Sequence, residues 1–153
     1  MPMNYETALT RAAGLCSTSE HCTKEIQDKL QKWGLSPIEI ERAINYLIDE
    51  KYIDNSRFCR AYAKDKLRYN HWGRIKIRTM LHQLALSSSE IEEGLAAIDE
   101  EEYLQVLREV AKQKERSIHD EDEYARMGKL ARHLLSHGFE SDLVMELCRQ
   151  SSE

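Results

Sequence analysis

Apolar side chains recur every three or four residues along most of the chain, a spacing that predicts amphipathic helices. Tyr5, Ala8, Leu9, Ala12 and Cys16 share one helical face. Ile26, Leu30 and Trp33 mark a second helix, which Gly34 can close as a C-terminal cap. Ser36-Pro37-Ile38-Glu39 opens a third. The Ser hydroxyl can accept from the third helical amide, Glu39 can reach back, and proline suits the first helical position. Ile40, Ala43, Ile44 and Leu47 carry on the apolar stripe.

The same device then repeats. Ile26, Leu30, Leu35, Ser36, Ile40 and Ile44 recur 51 positions later as Ile77, Leu81, Leu86, Ser87, Ile91 and Leu95. A further 53 positions on stand Leu130, Leu134, Phe139, Glu140, Val144 and Cys148. Five of the six positions stay apolar or Cys in every copy, and the sixth opens the last helix of its unit. A matched turn between matched helices points to a true repeat. The set Ile26, Ile77 and Leu130 and the set Ile40, Ile91 and Val144 should therefore be buried at equivalent places.

Each copy reads as three helices, giving an all-α chain of about nine. In the second, Asp54 caps a helix carrying Phe58 and Tyr62, Gly73 precedes the Ile77–Leu81 helix, and Ser87 to Glu90 is a second capping box. The third begins near Tyr103, crosses a polar loop at about 117–122, and ends on a short helix bounded by Gly138 and Ser141. The expected units are 1–53, 54–99 and 100–153. Three short helices bury little area alone, so neighbouring units must pack, and an elongated, bent array is expected. With two prolines and six glycines the chain lacks the turn residues of an all-β protein.

Composition adds exclusions. No apolar run approaches the length of a membrane span, and no apolar segment follows a basic start, so a cytoplasmic protein without a signal peptide is expected. Cys16, Cys22, Cys59 and Cys148 should then be thiols. Cys16, His21 and Cys22 invite a zinc reading, but no second pair completes a ligand set. The simpler reading makes Cys16, Cys59 and Cys148 small core residues and puts Cys22 near a helix start. The six histidines are scattered, and no H-E-x-x-H, nucleophile elbow or phosphate-binding Gly-rich loop is present. Neither catalysis nor a metal or other cofactor is expected.

Charge carries the functional signal. The formal net charge of −5 conceals a segregation. Residues 57–82 hold eight basic side chains, Arg57, Arg60, Lys64, Lys66, Arg68, Arg74, Lys76 and Arg78, against the single acid Asp65. Residues 83–123 hold thirteen acids against four bases, including Glu100-Glu101-Glu102 and Asp120 to Glu123. Helical spacing puts Arg57, Arg60, Lys64 and Arg68 on one ridge, with Phe58 and Tyr62 turned toward the core. Arg74, Arg78 and His82 form a second ridge. A basic surface this free of local acids suggests a contact face, and the alternative is a solvated face balanced by the acidic third unit. Reversing Arg57, Lys64 and Arg68 should leave the core untouched. Tyr69 and Trp72 lie between the ridges, where they can stack on bases or, as favoured for Trp72, pack beneath the loop.

One stretch resembles a known family. Tyr52-Ile53-Asp54-Asn55-Ser56-Arg57-Phe58 is similar to the aromatic–aliphatic–acidic segment, followed by an Arg-Phe helix start, of the RecX family. Gly73, Ile77 and Leu81 match its spaced Gly, Ile and Leu, and Glu25, Ile26, Lys29, Leu30 and Gly34 resemble its first unit. The likeness is good over residues 5–98 and rests on helix pattern beyond. Ala85 departs from a common Gly, so that helix end needs another cap geometry. Cys22 departs from a common Ser, for which Thr23 can substitute. The resemblance implies tandem three-helix units, no activity of the chain's own, and binding in the groove of the RecA filament on single-stranded DNA. The resemblance further implies that such binding suppresses ATP hydrolysis and strand exchange. A monomer with at most weak direct DNA contact is expected. The competing reading is an autonomous helical DNA-binding protein, disfavoured by the negative net charge and by the lack of a recognition helix opening with Arg and Asn or Gln.

Overall fold

A computed structural model describes residues 2–119 and 122–151. Among the described residues the regular structure is nine α-helices. They are α1 (Tyr5–Thr18), α2 (Thr23–Lys32), α3 (Pro37–Asp49), α4 (Asn55–Asn70), α5 (Arg74–Gln83), α6 (Ser88–Ala96), α7 (Glu100–Ser117), α8 (Glu123–Ser136) and α9 (Ser141–Ser151). The repeat falls where the sequence spacing puts it: α5 starts and ends 51 residues after α2, and α6 starts 51 after α3. None of the nine is long and apolar enough to cross a membrane. The helices pack as two compact units, one from residues 1–61 and 81–94 and the other from 62–80 and 95–153.

The core of the first unit gathers Ala8, Ala12, Ile26, Leu30, Leu35, Ala43, Ile44, Leu47 and Ile53. Its helices start on side-chain caps. Asn4 Oδ1 accepts from Thr7 N at 2.8 Å. Ser36 and Glu39 exchange the two bonds of the predicted capping box at 3.3 and 2.9 Å, and Ser87 and Glu90 repeat them at 3.2 and 2.9 Å. Asp54 caps α4 as expected, accepting from Arg57 N at 3.0 Å. Thr23 does not replace the missing Ser at the start of α2. Cys22 holds the cap position, Glu25 accepts from its amide at 3.2 Å, and Thr23 instead binds Asn55. Its amide donates to Asn55 Oδ1 and its hydroxyl accepts from Asn55 Nδ2, both at 3.0 Å, so one amide side chain ties the starts of α2 and α4.

The turn after each middle helix is the same in all three copies. The amides of Leu35, Leu86 and Phe139 donate to the carbonyls of Leu30, Leu81 and Leu134 at 3.1, 3.3 and 3.3 Å. This closure puts the preceding residue in the left-handed region. Gly34 has φ 95° and Gly138 has φ 92°. Ala85 occupies the same place at φ 62°, so the expectation of a different cap geometry there is corrected. The turn is kept and the alanine adopts the conformation glycine would take more easily. Ile26, Ile77 and Leu130 are all buried, as are Ile91 and Val144. Ile40 is only half-buried, because its face borders an open groove with Leu35, Pro37 and Ile44.

In the second unit, Tyr103, Val106, Leu107, Leu130, Leu134, Phe139 and Val144 form the apolar centre, with Tyr103 edge-on to Phe139 at 5.6 Å. Gly73 sits where only glycine fits. A Cβ there would lie 2.4 Å from the backbone of Gly138 and Phe139. That approach lets Gly73 N donate to His137 O at 2.7 Å and Ile75 N to Gly138 O at 3.0 Å, so the turn between α8 and α9 caps the start of α5. His137 Nδ1 donates to His71 O at 2.9 Å, and the His133 and His137 rings lie 4.6 Å apart.

Two predictions follow from this geometry. Ala85 is exposed, so Ala85→Gly leaves no cavity and relieves a left-handed alanine. It should raise stability by about 0.5–1 kcal/mol, the strain relieved exceeding the added unfolded-state freedom. Urea unfolding checks this, and an unchanged or lower midpoint would refute it. The second prediction concerns pH. Burial, then His137, then Lys114 hold the His133 imidazole below its ordinary value of 6.5. The folded protein thus favours the neutral ring, and this contribution is present above the ordinary value of about 6.5 and lost as pH falls from there through the lowered folded value. Melting temperature should decline as pH falls below about 6.5, and His133→Gln should flatten the decline.

Candidate functional site

The eight basic residues meet different fates. On α4, Arg57, Arg60, Lys64 and Arg68 do share a ridge by their spacing, but three of them are bound to acids from distant segments. Arg57 Nε donates to Glu20, and its Nη2 donates to the carbonyls of Lys51 and Tyr52 at 3.2 and 3.3 Å. Those carbonyls belong to the corner between α3 and α4, where Lys51 takes φ 64° and Tyr52 N reaches back to Leu47 O at 2.8 Å. Arg57 therefore clasps a strained turn to the end of α1. Arg60 pairs with Glu93 at 2.7 Å. Arg68 makes a two-pronged contact with Glu102, its second bond at 3.2 Å. The bond holds the Arg68 guanidinium pKa up and the Glu102 carboxyl pKa down.

Arg74 is more embedded than Arg57, Arg60 or Arg68, with 19% of its side chain exposed. Its guanidinium carbon lies 3.8 Å from the centroid of the Tyr103 ring. Nη1 donates to Glu140 at 2.7 Å and Nη2 to Glu100. The Tyr103 hydroxyl accepts from Arg74 N at 3.0 Å and donates to Glu140. Burial and the Glu140 bond push the Tyr103 phenol well above its ordinary value. Glu140 stands where the first two copies have a capping serine, so this position changed from a local cap into the centre of an ion-pair network.

The expectation that Arg57, Lys64 and Arg68 can be reversed without cost to the fold is corrected for the two arginines. Local sequence reasoning missed their partners because Glu20, Glu93, Glu100, Glu102 and Glu140 lie 26 to 66 residues away. The only advance signal was the acid-rich stretch from 83 to 123. Of its second run, Asp120 and Glu121 lie outside the described residues.

The lysines differ. Lys64, Lys66 and Lys76 have no carboxylate within ion-pair distance among the described residues. Lys64 is exposed on the ridge. Lys66 and Lys76 both lie over the Trp72 indole, with Nζ 5.1 and 4.8 Å from its centroid. Lys66 also lies 5.3 Å from the Tyr62 ring, which is tilted against Trp72 at 6.5 Å. Trp72 is half-buried, partly packed as expected, but what covers it is lysine and tyrosine. Tyr62 is half-buried on this cluster, in contrast to buried Phe58. Tyr69, one turn beyond Lys66, is 77% exposed. Arg78 is half-buried and held by interactions of its own, and His82 is exposed.

The remaining candidate chemistry is quiet. All four cysteines are free and buried, as the simpler reading of them had it, with Cys22 at the start of α2. Burial pushes their thiols up, Cys59 to about 12, which leaves them poor nucleophiles. Among the described residues no group of three or more His, Cys, Asp or Glu side chains is arranged to hold a metal ion.

A stability comparison separates clasp from free cation. Arg57→Glu should cost about 1–2 kcal/mol, because it leaves Glu20 and two carbonyls without their donor and adds a like charge. Lys64→Glu should stay within about 0.5 kcal/mol of the parent, as an exposed substitution. Equal losses in thermal unfolding would contradict the assignment.

Comparison with known proteins gives one consistent result. The descriptions of the first, second and third three-helix domains of RecX match residues 8–47, 54–95 and 100–147. Regulatory protein RecX of Clostridium tetani is 33% identical over 138 residues, covering 89% of this chain and 63% of that protein. The chain spans about three fifths of the length of that relative and of the Clostridium botulinum ones it matches. Regulatory protein RecX of Prosthecochloris aestuarii is 30% identical over 139 residues, and the match covers 91% of this chain and 89% of that protein. Two solved structures share the fold at 21% identity. One regulatory protein RecX superimposes with a TM-score of 0.85 over 95% of this chain and 73% of its own, and RecX from Lactobacillus salivarius with 0.82 over 96% and 95%. The chain, built of three tandem three-helix domains, belongs to the RecX family of regulatory proteins.

Proposed function

We propose that this chain binds the RecA filament on single-stranded DNA and lowers its ATP hydrolysis and strand exchange. It acts by occupancy and catalyses nothing itself. The observation that carries this reading is membership of the RecX family along all three domains, which we divide at 1–53, 54–99 and 100–153. It works in the cytoplasm as a monomer, and recombination and DNA repair are the processes it restrains.

The contact surface in this reading is the basic set Arg57, Arg60, Lys64, Lys66, Arg68, Arg74, Lys76 and Arg78, with unequal shares. Exposed Lys64, which acts on Glu102 only through its field, meets the partner without an ion pair of its own among the described residues, whereas Arg57, Arg60, Arg68 and Arg74 can do so only in competition with acids already bound to them. Opposite charge across such a surface speeds encounter and selects the partner.

The test is to add the purified protein to RecA from the same organism on single-stranded DNA and follow ATP turnover. Turnover should fall as protein is added. Lys64→Glu should shift the inhibition curve by about tenfold, since one charge-assisted bond is worth about 1.5–3 kcal/mol and about 1.4 kcal/mol is a decade. Full turnover at saturating protein would overturn the function. Full inhibition by the variant would leave the function standing and remove Lys64 from the contact.

A further inference from the structure

We infer that the face formed by Lys66, Tyr69, Trp72 and Lys76 is a binding site for a single nucleic-acid strand, engaging phosphates through the two lysines and unpaired bases through the aromatic rings. This deepens the filament reading above and rests on it for its biological setting, but the site belongs to this chain alone and can be tested without RecA.

The first argument is the state of the charges. Lys66 and Lys76 are held by the Trp72 ring, with Nζ 5.1 and 4.8 Å from its centroid. Both ammonium groups therefore flank one indole, and no carboxylate among the described residues lies within ion-pair distance of either. A ring face orders an ammonium without cancelling its charge. The arginines nearby show the contrast: Arg68 and Arg74 are bound to Glu102, Glu100 and Glu140. An arriving anion displaces nothing at the lysines and must displace a carboxylate at the arginines.

The second argument is the aromatic surface beside those charges. Tyr62, Lys66 and Tyr69 follow one another at four and three residues, so they lie along one ridge of α4. That ridge is on the side of the helix opposite Arg57, Arg60, Lys64 and Arg68, by the same spacing. Tyr69 ends the ridge with 77% of its surface exposed. It supports no core, and a large exposed ring beside two uncommitted cations is the composition of a strand-binding platform. A duplex keeps its bases stacked inside and would offer this face only phosphates. An acidic protein segment would use the lysines and leave Tyr69 idle. The combination therefore selects a strand whose bases are free.

The experiment uses the full chain and an oligothymidylate of about 20 nucleotides, longer than a single platform needs, without RecA. Trp33→Phe serves as the background, because Trp33 is the other of the two tryptophans and its removal leaves Trp72 as the sole indole reporter. Binding is read by anisotropy of a labelled strand and by Trp72 fluorescence. At low salt the strand should bind and quench Trp72, and affinity should fall steeply as salt rises. Tyr69→Ala should weaken binding about tenfold, the usual cost of losing one base–aromatic stack. Lys66→Gln with Lys76→Gln should flatten the salt dependence, which a purely structural role for the lysines would not do. Circular dichroism and melting confirm that each variant is folded, and Tyr69→Ala, lying outside the core, keeps the test decisive if the lysine pair proves unstable.

An abasic strand and polyphosphate supply phosphate without bases. If they bind as tightly as the oligothymidylate and Tyr69→Ala changes nothing, the face is a general polyanion surface and the inference is wrong. Absence of strand binding at low salt also overturns it. Should that happen while the parent protein still suppresses RecA turnover, the filament reading survives the loss of this site.

Discussion

The turn that follows each middle helix is the constraint on which the rest of the structure depends. A leucine carbonyl at 30, 81 and 134 accepts the amide five residues on, at 35, 86 and 139. Closing that bond forces a left-handed residue between them and reverses the chain within one turn. The reversal brings the buried Leu35, Leu86 or Phe139 against the helix just ended and, at Ser36 and Ser87, presents the next residue as the cap of the helix to follow. One backbone bond thus couples the end of one helix, an apolar plug and the start of another. Ala85 shows how strongly this geometry is held, since the turn survives there without glycine.

Most of that was readable in advance because it is local. Periodicity located the helices, and Ser-x-x-Glu located the capping boxes at 36 and 87. The apolar register matched Ile77 with Ile26, and both are fully buried. Positions such as Gly73 were visible as glycine but not as a reason. The reason is the backbone of residues 138 and 139, which no spacing within α5 could announce. Thr23 failed as a substitute cap for the same cause: its partner is Asn55, 32 residues distant. The site was the least legible part. A run of basic residues looks equivalent in sequence, and what divides it is which acids arrive from elsewhere.

That division has a physical logic. Guanidinium groups present several donors in a plane and can hold a carboxylate and a carbonyl together, as Arg57 does with Glu20, Lys51 and Tyr52. Arg74 stacks on Tyr103 while its two ends reach Glu100 and Glu140. Such residues join segments far apart in the chain, where a small helical unit has too little apolar area to do so alone. An ammonium offers no such fork, and the lysines at 64, 66 and 76 remain oriented toward solvent or aromatic faces.

The charge segregation of the sequence therefore serves two ends. The acids at 93, 100, 102 and 140 do not form a separate negative surface, because they are spent in part on the arginines of α4 and α5. Pairing in this way leaves a positive residue made of lysines, smaller than the eight-residue run suggests, two of them against the half-buried Trp72 ring. A surface filtered so is better suited to discrimination than the full run would be. Every arginine left free would attract any polyanion, whereas Lys66 and Lys76 sit against Trp72, and at the proposed site a partner must also offer something to Tyr69 and Trp72. At the proposed site, tying down Arg57, Arg60, Arg68 and Arg74 exchanges general attraction for a narrower requirement on what can bind.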